Sequence, residues 1–120
     1  MPKTHRIEVR RIWVGSELHV RLSNYVLYAS PGDRVIWESF DGAHRLTFPG
    51  PLVSPFTIAD PQLPRATDVV TTVKNGLKQG TVHPMPVVGM PGDPLPAPLH
   101  VSLSVLIIDP PPRQDPGPTL

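Results

Sequence analysis

The run Gly32-Asp33-Arg34-Val35-Ile36-Trp37-Glu38-Ser39-Phe40-Asp41-Gly42-Ala43-His44-Arg45-Leu46-Thr47-Phe48 decides the fold class. Ser30-Pro31-Gly32-Asp33 is a turn: proline presets φ and glycine supplies conformational freedom. Residues 34–39 then read as a strand with Val35 and Trp37 on one face. Asp41-Gly42 is a hairpin signal between two β-rich runs, and residues 43–48 return with His44, Leu46 and Phe48 sharing a face.

The same alternation extends in both directions. In residues 5–14, Ile7 and Val9 alternate with charges, then Arg10-Arg11 breaks the phase, and Ile12 and Val14 continue one residue out of step. One extra residue in an alternating run predicts a β-bulge. After the Gly15-Ser16 turn, Leu18, Val20 and Leu22 alternate with Glu17, His19 and Arg21. Residues 25–29 form a short apolar stretch. Five prolines in residues 49–66 predict an irregular connection, with room for a short strand at 56–58. Residues 67–74 and 77–83 read as strands joined by Asn75-Gly76. Six prolines in residues 84–98 predict a loop. Residues 99–108 form the longest strand, with Leu99, Val101, Leu103, Val105 and Ile107 on one face and Leu106 and Ile108 on the other. A strand apolar on both faces near its end is expected to be central and covered there.

This pattern predicts an all-β protein, an antiparallel sandwich or barrel of seven or eight strands with long proline-rich loops. Val35, Trp37, Leu46, Phe48, Val101, Leu103 and Val105 are its expected core. The domain is expected over residues 1–109, followed by a flexible proline-rich tail at 110–120. The composition agrees. Of 120 residues, 18 are proline and 9 glycine, which disfavours long helices. A hydrophobic share of 39% is enough for a core. The net charge of +1 gives no general attraction to nucleic acid or to a membrane surface. No apolar run is long enough for a spanning helix, and the first residues lack a secretory signal, so a soluble, cytoplasmic protein is expected. Cysteine is absent, which excludes disulfides, thiolate metal sites and cysteine nucleophiles.

The quoted run resembles the cupredoxin family, whose members carry a Gly-Asp-x-Val-x-Trp strand, a short turn and a His-x-x-x-Phe strand. Leu27-x-Ala29 upstream fits the same pattern. The resemblance covers residues 20–48 and continues, more weakly, through Gly80-Thr81-Val82 and the last strand. It implies a single Greek-key sandwich. In that family a blue-copper site uses two His, one Cys and usually a weak Met. His44 stands where the first His ligand would be. The Cys position falls near Pro86 and the second His position near Gly89, so the thiolate and with it the blue-copper centre are lost.

Two functional expectations follow, neither of them enzymatic: no nucleophile elbow or carboxylate motif frames a serine or aspartate. The first is a non-catalytic cupredoxin-like binding or assembly module without cofactor. Its contact surface would be the apolar residues of the 84–98 loop, Met85, Val87, Val88, Met90 and Leu95, meeting a protein partner or another copy of the chain. Proline lowers the cost of ordering such a loop, and methionine adapts to varied surfaces. The alternative is a small copper- or zinc-binding protein using His44 with His83, Met90 or His100. His44 itself reads either as a retained ligand or as a turn-end histidine held by hydrogen bonds at the rim of the core.

Overall fold

The computed structural model describes residues 2–109 except Pro49, Leu52 and Asp93; the expected tail at 110–120 lies outside the described residues. The described chain is all-β and forms a sandwich of two five-stranded sheets. The strands are β1 (Thr4–Val14), β2 (Glu17–Leu22), β3 (Val26–Ala29), β4 (Arg34–Ser39), β5 (His44–Leu46), β6 (Gln62–Leu63), β7 (Asp68–Thr72), β8 (Val82–Gly89), β9 (Leu99–His100) and β10 (Ser102–Ile108). The first sheet has the order β7-β4-β1-β2-β9, the second β3-β10-β8-β5-β6. Both are mixed rather than purely antiparallel: β1 runs parallel to β4, β2 to β9 and β10 to β3. No helix among the described residues is long and apolar enough to cross a membrane.

The mixed sheets arise because the chain keeps changing sheet. The Asp41-Gly42 turn does not close a hairpin; it carries the chain from β4 in the first sheet to β5 in the second. Asn75-Gly76 likewise lies on the crossing from β7 to β8. The long strand expected at residues 99–108 divides at Val101, with β9 joining the first sheet and β10 the second. The strand expected at 56–58 is a single bridge, Phe56 to Val73, which brings the Phe56 ring edge-on to Trp37 at 6.3 Å.

Inner faces follow the period-two alternation. Ile7, Val9, Val20, Leu22, Val35 and Trp37 from the first sheet meet Leu27, Leu46, Met85, Val87, Leu106 and Ile108 from the second. Trp37 has its indole N–H satisfied by Thr71 Oγ1 at 3.0 Å, and that hydroxyl donates in turn to the Val35 carbonyl at 2.9 Å. The last strand has the opposite phase to the expected one. Ser104, Leu106 and Ile108 point inward, while Val101 and Leu103 are exposed and Val105 is only half-buried. The crossing at Val101 sets this phase, and the alternation of residues 99–108 could not reveal it because both faces are apolar there.

The expected bulge at Arg10-Arg11 is absent. The β1–β2 register runs unbroken from Val9 opposite Leu22 to Val14 opposite Glu17. Arg11 therefore stands on the inner face, opposite Val20, and Trp13 follows it opposite Leu18. A charged residue is tolerated there because its donors find partners, as described below.

At the opposite end of β1, Asp33 in the β3–β4 turn is buried and acts as a clip. Its carboxylate accepts from the backbone N–H groups of Lys3 and Ser30 at 2.9 and 3.0 Å and contacts His5 Nε2 at 2.9 Å. Desolvation by burial would raise its pKa, but the hydrogen bonds with His5, Ser30 and Lys3 together outweigh it and hold the carboxyl below its ordinary value.

Candidate functional site

The expected 84–98 loop is half strand. Residues 84–89 belong to β8, which lies between β10 and β5. Two prolines fit this interior strand because of register. Pro84 stands opposite Val105 and Pro86 opposite Leu103. Val105 directs its N–H away from β8, to the Tyr25 carbonyl at 2.9 Å, so no ladder donor is required from Pro84. Pro86 turns its carbonyl to the Thr47 N–H at 3.1 Å, on the side of β5, which has only 3 residues. The missing donors thus fall where β8 has little neighbour to pair with.

This placement separates the five residues expected as a contact surface. Met85 and Val87 are fully buried core residues and present nothing to a partner. Val88, Met90 and Leu95 are half-buried. The strand instead turns Val82, Pro84, Pro86 and Val88 to the outside. Beside them on β10 stand Leu103, Val105 and Ile107, and beside those on β3 stand Val26 and Tyr28. Val82, Leu103 and Tyr28 are more than half exposed. Across these three strands the outer face carries no charged side chain.

His44 is buried on the inner face of β5, with both ring nitrogens engaged. Nε2 accepts from Arg11 Nε at 3.1 Å, which places the ring proton on Nδ1, facing Ser39 Oγ at 2.7 Å. Ser39 Oγ donates onward to the Gly42 carbonyl. Arg11 Nη2 also donates to the Ala43 carbonyl at 3.2 Å. The result is a directed relay from arginine through imidazole and hydroxyl to backbone. It ties β1 of the first sheet to β5 of the second. A Cβ at Gly42 would overlap the Arg11 guanidinium as placed, so a larger residue there would push that side chain aside.

The four residues of the alternative metal set are not brought together. Met90 comes beside the His44 turn, its N–H donating to the Ala43 carbonyl at 3.4 Å. His83 lies toward the far end of β8, six residues from the Gly89 that pairs with His44, or roughly 20 Å along a strand. There its Nε2 meets Thr81 Oγ1 at 2.9 Å, and burial lowers its pKa. His100 sits on β9, directly beside His19 of β2. Their rings stack with centroids 4.4 Å apart and planes 13° from parallel. Glu17 completes this group, with carboxylate oxygens 3.5 Å from His19 Nε2 and 3.4 Å from His100 Nε2. Neither Glu17 nor His19 stands out in the sequence as a ligand. Their place on the polar face of residues 17–22 was legible, but the arrival of β9 alongside was not.

A search of protein-family models and of curated proteins finds no match to this chain.

Proposed function

We propose that this chain is a non-catalytic, cupredoxin-like assembly module that docks through the outer face of its second sheet onto a second copy of itself. The family part of this reading rests on the run from Gly32 to Phe48, which lies on β4, the crossing turn and β5. The assembly part rests on one observation: the uncharged outer face of β3, β10 and β8, with Tyr28, Val82 and Leu103 more than half exposed. The strands β3, β10 and β8, of 4, 7 and 8 residues at about 3.3 Å each and about 4.8 Å apart, give a footprint of roughly 300 Å². An apolar patch of that order matches the largest patch of a typical monomer, which is often functional. A second copy is the favoured occupant because a face without charges meets itself, related by a two-fold axis, without like-charge repulsion.

Sedimentation velocity across a concentration series tests this. A reversible dimer is expected, weakened by at least about tenfold in Leu103→Glu, since each copy would bury an unpaired carboxylate. A wild-type chain that remains monomeric into the millimolar range would overturn the assembly reading.

A further inference from the structure

We propose that Glu17, His19 and His100 form a binding site for one divalent transition-metal ion of the zinc type, on the outer face of the first sheet. The site is separate from the apolar face and does not depend on the assembly reading.

The fold delivers the three ligands by simple rules. Glu17 and His19 are two residues apart on β2, so they share a face. Leu18 between them points into the core and fixes that orientation. Parallel pairing sets His100 of β9 level with His19, one strand spacing away. Ile12 and Val14 of β1 stand level with His19 and Glu17 on the other side and back the group with apolar surface.

Two observations point to a cation rather than an ordinary ion pair. First, one donor atom from each residue lies within 4.8 Å of the others. Glu17 Oε1 lies 3.5 Å from His19 Nε2 and Oε2 lies 3.4 Å from His100 Nε2, so each oxygen stands from its own imidazole at about the ligand–ligand spacing of a zinc site, roughly 3.4 Å for bonds of about 2.05 Å. Second, His19 Nε2 is shielded from solvent and has no hydrogen-bond partner. An orphaned buried nitrogen is costly, and a coordinated cation would satisfy it. The imidazoles stack nearly parallel, so one ring must turn about its side-chain torsions for both nitrogens to face one ion; His100, exposed on the edge strand, is free to do so. Two imidazoles and one carboxylate form a donor set used for zinc. Glu17 and His100 remain about half exposed, which leaves a further coordination position open to water or an external ligand.

Binding would also clip β9, a strand of 2 residues at the edge of the sheet, onto β2. The segment leading into β9 should then gain protection from hydrogen exchange when metal is present.

The test is calorimetric titration of the untagged, full-length chain with zinc chloride. The expected result is one equivalent bound with a Kd of about 10 μM or tighter. His100→Ala and His19→Ala should each weaken it by at least about tenfold, the scale seen when even an outer-shell partner is removed. His83→Ala, outside the cluster, should leave it unchanged. NMR of the imidazole carbons supplies an independent readout, in which the His19 and His100 resonances should move together at one equivalent. His100 is exposed on an edge strand, so its variant keeps the test interpretable if His19→Ala does not fold. Absence of binding at about 100 μM zinc would overturn the proposal. So would one-equivalent binding that survives His100→Ala with the His100 resonance unmoved.

Discussion

The two sheets of this sandwich share one core and differ on their outer faces. On the first sheet, Arg6 of β1 reaches Glu38 of β4 at 3.0 Å and Asp68 of β7 at 3.3 Å, so one side chain spans three strands. Arg10 adds a contact to Glu8 at 3.2 Å and lies over the Phe40 ring at 3.8 Å. Ile36 and Val70 stand opposite each other as one cross-strand apolar pair among these charges. On the second sheet, valine, leucine, isoleucine, tyrosine and proline run across three strands without a charge. Single exposed apolar residues are normal, whereas a contiguous uncharged sheet face is a liability unless something covers it. Under the proposed assembly, the first face meets solvent and the second would meet another copy.

The comparison holds only if the inner faces are equivalent, and this is where the largest effects are expected. Trp37→Ala in the first sheet should cost about 3–5 kcal/mol, and Leu106→Ala in the second about 2–5 kcal/mol. Both are fully buried. Denaturant unfolding with unchanged slope measures them. A loss below about 1 kcal/mol for Leu106 would mean that the second sheet's apolar character is not divided between core and surface as described.

A narrower contrast separates two adjacent arginines of β1. Arg11 lies on the inner face and donates to His44 Nε2 and the Ala43 carbonyl. Arg10 lies on the outer face, half exposed. Arg11→Met should cost about 1–3 kcal/mol, because it strips a donor from a buried imidazole. Arg10→Met should fall within about 0.5 kcal/mol of wild type. The ratio is read from paired urea midpoints. Equal costs would place both side chains on the same face and restore the bulge.

Those two residues also show what the sequence made legible. The strand content, the two-sheet class and the burial of Val35, Trp37 and Leu46 follow from alternation and turn chemistry, both of which are local. Alternation alone could not phase Arg10-Arg11. A charged residue on a core face looks like a slip until its partner is known, and His44 is 33 positions away. Prolines 84 and 86 misled for a similar reason. A missing N–H argues against a strand interior unless the neighbouring strand is too short to ask for it, and the length of β5 is a tertiary fact. The candidate site was legible in part. His100 was picked out, but its partners Glu17 and His19 lie more than 80 positions away, joined to it only by the β2–β9 pairing.

The last expected effect emerges only on acidification and separates buried from exposed charge. The Asp33 carboxylate is almost fully buried, and its hydrogen bonds hold its pKa below the ordinary carboxylate range. A depressed folded pKa means that the unfolded chain binds the proton more readily, so the contribution is complete above about pH 4 and is lost as pH falls through the folded value. His83 acts with the same sign at higher pH: burial disfavours its charged form, so stability begins to fall as pH drops below about 6.5. Acid unfolding should therefore show two limbs. His83→Gln should remove the upper limb and Asp33→Asn should flatten the lower one. The Arg6–Glu38–Asp68 contacts differ in being exposed, so they are screened within a Debye length of about 8 Å at physiological salt. Raising the salt concentration should leave the lower limb in place while abolishing any effect of Arg6→Gln. A lower limb that vanishes in salt would mean that the Asp33 clip is open to solvent, and that this end of the first sheet behaves like its outer face.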